Sequence, residues 1–168
     1  TRELAYQVHQ VVIQLSKFMN HILSYLLVGG TPVADDVAYL KHHTPHILVS
    51  CPGRLTDMFQ KKMVYLNTVQ CVIVDEADEM LRMGFIDDVE WVLEQIPTDH
   101  QTALFSATMP KQIAKIAKQY LNDPALIQIQ DKSATVDTVR QRYWMVSGMH
   151  KLDALTRILE VEDTDGIL

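Results

Sequence analysis

Apolar side chains recur along this chain with changing period, and the changes mark its elements. Leu4, Val8, Val11, Leu15 and Phe18 repeat at three- and four-residue intervals, the spacing of one helical face. The pattern predicts a helix over residues 2–19, with Thr1 as its N-cap. An apolar run at 22–28 ends at Gly29-Gly30 and reads as a strand and a tight turn. Val33, Val37 and Leu40 mark a short helix. Residues 46–51 form a strand pattern that Pro52-Gly53 closes, before a helix carrying Leu55, Met58 and Phe59. Cys71 to Val74 is a short apolar run rich in β-branched residues, the signature of a buried strand.

Ile86, Val89, Val92, Leu93 and Ile96 form the next helical stripe, which Pro97 ends. Residues 102–105 read as a strand leading into Ser106-Ala107-Thr108. Pro110 suits the first turn of a helix bearing Ile113, Ile116, Ala117, Tyr120 and Leu121. Residues 125–129 read as a strand, 131–137 as a polar linker, 139–146 as a strand, 152–159 as a helix, and 166–168 as the start of a strand. Alternating strands and helices predict an α/β fold with a mostly parallel sheet. The chain opens at a helix cap without Met and stops within a strand pattern, so both ends read as cut from a longer protein.

Composition changes this picture little. Hydrophobic residues make up 48% and charged residues 21%, ordinary for a globular chain. No apolar run reaches the ~18 residues of a membrane span. Two cysteines, Cys51 and Cys71, supply no disulfide framework or zinc site and fit a reducing, cytoplasmic setting. The net charge of −6 counts against a simple basic nucleic-acid binder. It leaves open phosphate binding by backbone N–H groups at helix starts, which adds nothing to formal charge.

Candidate chemistry concentrates after Cys71–Val74, where the chain turns abruptly to Asp75-Glu76-Ala77-Asp78. Ligands of open parallel sheets sit at the carboxyl ends of the strands. Asp75 there could hold Mg²⁺ through water, and Glu76 could orient or deprotonate a water attacking a γ-phosphate. The same acidic pair also fits a plain helix N-terminus.

Taken in order, Thr1-Arg2-Glu3-Leu4-Ala5, Gly29-Gly30, Cys51-Pro52-Gly53-Arg54, Asp75-Glu76-Ala77-Asp78 and Ser106-Ala107-Thr108 resemble the motifs of the DEAD-box family of ATP-dependent RNA helicases. Residues 75–85 look most like the bacterial cold-shock and ribosome-assembly members. The resemblance implies RecA-like domains of the P-loop NTPase type that close around ATP and single-stranded RNA. Residues 1–130 would be the latter part of the first domain, 131–137 a linker, and 138–168 the beginning of the second. It assigns Asp75 and Glu76 to Mg²⁺, ATP and the attacking water, and Asp78, Ser106 and Thr108 to coupling hydrolysis to domain closure. Helix capping is the plainer alternative for Ser106 and Thr108. Thr1, Arg2, Gly29, Gly30, Cys51, Gly53 and Arg54 would meet RNA. Glycine lets backbone approach a phosphate, and Arg2 and Arg54 would add charge-assisted bonds. Such contacts tolerate any base sequence. Ribosomal or other ribonucleoprotein complexes would be its partners.

Cys51 departs from the family, which usually has Thr there; a thiol is the poorer donor. No G-x-x-x-x-G-K-[ST] occurs in residues 1–168, so the segment alone is expected to be inactive. The resemblance also places a missing strand between residues 102–105 and 125–129, predicting an empty slot flanked by two strands. A non-catalytic RNA-binding scaffold and a DNA-directed translocase remain alternatives. His42, His43 and His46 lack metal-ligand spacing. Tyr143-Trp144 reads as strand packing, and Lys111, Lys115 and Lys118 as a solvated face.

Overall fold

The computed structural model describes residues 1–129, 139–140 and 142–162. They fall into two units, Thr1–Ala125 and Leu126–Leu168. In the first unit, α1 (Arg2–Leu15) is capped by the Thr1 hydroxyl, which accepts from the Leu4 N–H at 3.2 Å. The Ser16 hydroxyl donates to the Val12 carbonyl at 2.8 Å and closes the last turn, so Phe18 lies beyond the helix. The face of α1 toward β1 (Ser24–Leu27) and β2 (Ile47–Ser50) centres on Ala5. Val11, Leu15 and Phe18, expected on the buried stripe, are therefore exposed.

β1 and β2 pair in parallel, Ser24 opposite Ile47 and Leu27 opposite Ser50. The crossover between them is α2 (Val33–His42). α3 (Pro52–Gln60) follows β2 directly, with Pro52 in its first turn, where the missing N–H costs nothing. β3 (Cys71–Val74) and β4 (Gln101–Leu104) form a second parallel pair, Cys71 opposite Gln101 and Val74 opposite Leu104. Between them lie α4 (Ala77–Arg82) and α5 (Ile86–Gln95). Helix α4 entered the sequence reading only as the plain helix N-terminus that the acidic pair also fits: its six residues are too few to display a helical period. α6 (Lys111–Tyr120) follows β4 and buries Ile113 and Ile116, leaving Lys111, Lys115 and Lys118 exposed as expected.

Two cores result, and α5 contributes to both. Val92 and Ile96 join Leu27, Met58, Val64 and Leu66 in one, where Trp91 meets Phe59 edge-on at 5.3 Å. Val89 and Leu93 join Val74, Ala77, Ile113 and Ile116 in the other.

The fold departs from expectation at three places. Instead of one sheet, the described residues form two two-stranded sheets. β3 is covered on one face only: Val74 is buried, whereas Cys71 and Ile73 are exposed, Ile73 by 65%. Residues 125–129 are not a strand, and Leu126, Ile127 and Ile129 are exposed. Among the described residues, the expected slot therefore lacks its second flanking strand, and β4 pairs with β3 alone.

In the second unit, α7 (Lys151–Leu159) forms as predicted, with the His150 Nδ1 accepting from the Leu152 N–H. The described residues of 139–146 are not a strand, and Tyr143 and Trp144 are exposed, not packed. A strand needs a neighbour to pair its backbone groups, and the described residues provide none there. The linker expected at 131–137 and the strand start at 166–168 lie outside the described residues.

Since Leu93 is buried where α5 meets the second core, Leu93→Ala is expected to cost about 2–5 kcal/mol. A chemical-denaturation midpoint shifted down at unchanged slope is the expected reading.

Candidate active site

The parallel register of β3 and β4 sets two loops side by side at their carboxyl ends. The Phe105 N–H donates to the Val74 carbonyl at 2.8 Å, and the Ala77 N–H to the Phe105 carbonyl at 3.1 Å. These bonds extend the ladder beyond the strands and bring the acidic tetrad against Ser106-Ala107-Thr108. The Ser106 hydroxyl accepts from the Asp78 N–H at 3.1 Å and donates to the Thr108 carbonyl at 2.7 Å. Asp78 returns the contact: its Oδ2 accepts from the Thr108 N–H at 3.0 Å and from the Thr108 hydroxyl at 2.7 Å. Ser106 does cap a helix, but the helix is α4, across the loop from it.

These bonds hold the Asp78 carboxyl down at about 2, chiefly through the Thr108 hydroxyl and then Ser106. Its other oxygen, Oδ1, is buried and has no hydrogen-bond partner among the described residues.

Asp75 and Glu76 are both exposed. Asp75 Oδ1 accepts from the Glu76 N–H at 3.0 Å. Glu76 precedes α4 in the left-handed region, φ 52° and ψ 48°, uncommon for a residue with a side chain. Among the described residues, no protein donor engages Asp75 Oδ2 or the Glu76 carboxylate. Among the described residues, no group of three or more His, Cys, Asp or Glu is gathered there to cage a metal. One or two free carboxylates suit Mg²⁺, which keeps most of its water. Asp75 therefore fits a hydrated Mg²⁺.

The second set of candidates gathers at the carboxyl ends of β1 and β2. The Cys51 N–H donates to the Leu27 carbonyl at 3.2 Å, holding the two strand ends together. Gly30 has φ 89°, and a Cβ there would come within 2.5 Å of the Arg2 guanidinium. Glycine is favoured there by its backbone conformation; the Arg2 guanidinium, the end of a flexible side chain, could move aside. Thr1 sits at the start of α1, and Gly53 in the first turn of α3. The Cys51 side chain makes no cap bond, and burial pushes its thiol above the ordinary value. Arg54 points inward, to Asp36 at 2.9 Å.

Asp36 escaped the sequence reading. Its signal was its position: it shares the apolar face of α2 with Val33, Val37 and Leu40, and a buried acid needs partners. His46 Nδ1 accepts from the Leu23 N–H at 3.1 Å, and His43 stacks on Tyr39.

The sequence pattern of the DEAD/DEAH box helicases matches residues 1–116, and the chain belongs to this family. It is 47% identical over 163 residues to the ATP-dependent RNA helicase DeaD of Buchnera aphidicola (subsp. Schizaphis graminum), covering 97% of this chain and 27% of that protein. To DeaD of Escherichia coli K12 it is 44% identical over 168 residues, covering all of this chain and 27% of that one. The chain thus spans about a quarter of the length of these relatives. Among solved structures, it resembles a hypothetical ATP-dependent RNA helicase of Sulfolobus tokodaii at TM-score 0.68 and 35% identity, over 73% of this chain and 36% of that one. It resembles the yeast DEAD-box splicing factor Prp28 at TM-score 0.69 and 30% identity, over 73% and 29%. The fold class is accordingly α/β and RecA-like.

The Asp78 carboxyl has a testable pH signature. An unfolded Asp titrates near 3.9, and the folded group at about 2. A lowered value means that the stabilisation is complete above the unfolded value and is lost as pH falls through the folded one. NMR titration should place the Asp78 midpoint near 2, and Thr108→Val should raise it toward the ordinary range.

Proposed function

We propose that this chain is part of an ATP-dependent RNA helicase that couples ATP hydrolysis to unwinding RNA duplexes or remodelling RNA–protein complexes. The observation that carries this reading is the linkage of Asp78 to Ser106 and Thr108 beside the exposed carboxylates of Asp75 and Glu76, at the carboxyl ends of adjacent parallel strands. When bound, Mg²⁺–ATP supplies the electrophilic phosphoryl group. Asp75 would hold the hydrated metal, and Glu76 would orient the attacking water and accept its proton. Asp78, Ser106 and Thr108 join the loop that carries these carboxylates to the loop after β4. A shift of one therefore reaches the other, which is what coupling hydrolysis to domain closure requires.

RNA lies along the carboxyl ends of β1 and β2, met by Thr1, Arg2, Gly29, Gly30, Cys51 and Gly53. Contacts through backbone N–H groups explain how a chain of net charge −6 binds a polyanion. Residues 1–130 serve as the latter part of the first RecA-like domain, 131–137 as a linker and 138–168 as the start of the second. The protein works in the cytoplasm, on ribosomal or other ribonucleoprotein substrates. No helix among the described residues is long and apolar enough to cross a membrane.

The test is ATP turnover by the intact protein with RNA or DNA added. RNA-dependent turnover is expected, and stimulation by DNA alone would overturn the RNA assignment. Glu76→Gln should lower turnover by about 10²-fold or more while sparing nucleotide affinity, since the amide cannot accept a proton. Asp75→Asn should instead raise the Mg²⁺ concentration needed for binding. Residues 1–168 alone, with no phosphate-cradling motif in their sequence, should show no RNA-stimulated turnover.

A further inference from the structure

The buried acid Asp36 has no part in the chemistry above, yet its surroundings are highly ordered. Its side chain is 4% exposed, and that of its partner Arg54 is 9% exposed. The carboxylate accepts from the Tyr25 hydroxyl on β1 at 2.7 Å and from Arg54 Nε on α3 at 2.9 Å. The guanidinium also donates through Nη2 to the Thr31 carbonyl at 2.6 Å and to its hydroxyl at 3.0 Å. Thr31 in turn donates to the Val28 carbonyl at 2.9 Å. Tyr25 is fixed from its other side by stacking on Tyr39, with ring centroids 4.1 Å apart.

Arg54 thus ties the Gly29-Gly30 turn after β1 to the first turn of α3 after β2. Its charge is already matched by Asp36, and only Nη1 lacks a partner among the described residues. A guanidinium so enclosed is poorly placed to neutralise a phosphate arriving from outside. Its planar fork, however, suits a bond that fixes geometry.

We infer that Asp36 and Arg54 are a positioning pair: they hold the two RNA-facing turns at a fixed separation and contribute rigidity, not charge, to RNA binding. This differs from the direct phosphate contact that the family resemblance implies for Arg54, and it rests on the RNA reading proposed above. Turns aligned before RNA arrives avoid an ordering cost on binding.

The test uses the intact protein and two unrelated single-stranded RNAs, with affinity followed by fluorescence anisotropy across a salt series. Arg54→Gln is expected to weaken both RNAs about tenfold or more, as for a lost charge-assisted bond. The slope of log affinity against log salt should match the wild type. Asp36→Asn should weaken binding to a similar degree, and the double variant no further than either. Loss of fold raises the apparent midpoint by the inverse of the folded fraction, so each variant's folded fraction is measured by chemical denaturation and its midpoint corrected by that fraction before comparison.

Removing one partner of a buried ion pair is strongly destabilising. Tyr25→Phe therefore serves as the milder probe, with an expected loss of about threefold for one hydrogen bond. A direct phosphate contact predicts otherwise: Arg54→Gln would lower the salt slope by roughly 0.7, and Asp36→Asn would tighten binding by freeing the cation. Either result overturns the pair. Amide hydrogen exchange without RNA keeps this proposal separable from the functional one. Faster exchange in both turns of Tyr25→Phe supports the pair even where wild-type RNA binding fails, and unchanged exchange overturns it.

Discussion

The arrangement depends above all on parallel strand pairing in register. Parallel pairs point their carboxyl ends the same way, so residues distant in sequence meet just beyond the last paired residues. Val74 opposite Leu104 puts Asp78 within reach of Thr108, thirty positions along. Leu27 opposite Ser50 puts the Gly29-Gly30 turn beside the start of α3. In each pair, hydrogen bonds continue past the strands: Phe105 to Val74 in one, Cys51 to Leu27 in the other. A one-residue slip in either pair would separate the residues that meet at that pair's end.

The two edges treat charge in opposite ways. Beyond β3, Asp75 and Glu76 stand exposed, Asp75 with one oxygen and Glu76 with both lacking a donor among the described residues, while Asp78 is bound through one oxygen by Thr108. Beyond β1, the acid and the guanidinium are enclosed and matched to one another. Groups that act on a ligand need vacant lone pairs, whereas groups that set geometry need filled ones.

Much of this was legible in the sequence because its signals are local. The stripes at Val89, Val92, Leu93 and Ile96, and at Ile113 and Ile116, became buried helix faces. The turn residues Gly29-Gly30 and Pro52-Gly53 fell where strands end. What failed was non-local. The apolar runs at 125–129 and 139–146 carry strand composition, but composition cannot say which neighbour will pair with them. The run Cys71–Val74 looked wholly buried, although cover on its second face depends on elements the run does not encode. Helix α1 was found, but the orientation of its face was set by Ala5, a residue too small to dominate a hydrophobic pattern. Asp36 was readable only as a misfit on α2, since its partners lie on β1 and α3.

The shared role of α5 has a thermodynamic consequence. The two sheets exchange no ladder bonds among the described residues, yet one helix lines the cores of both, Val92 and the capping Ile96 just past its end on one side, Val89 and Leu93 on the other. It cannot leave one core while staying in the other. The acidic edge and the glycine-rich edge therefore belong to a single cooperative unit, and their amides should share one global opening free energy rather than exchange as separate foldons.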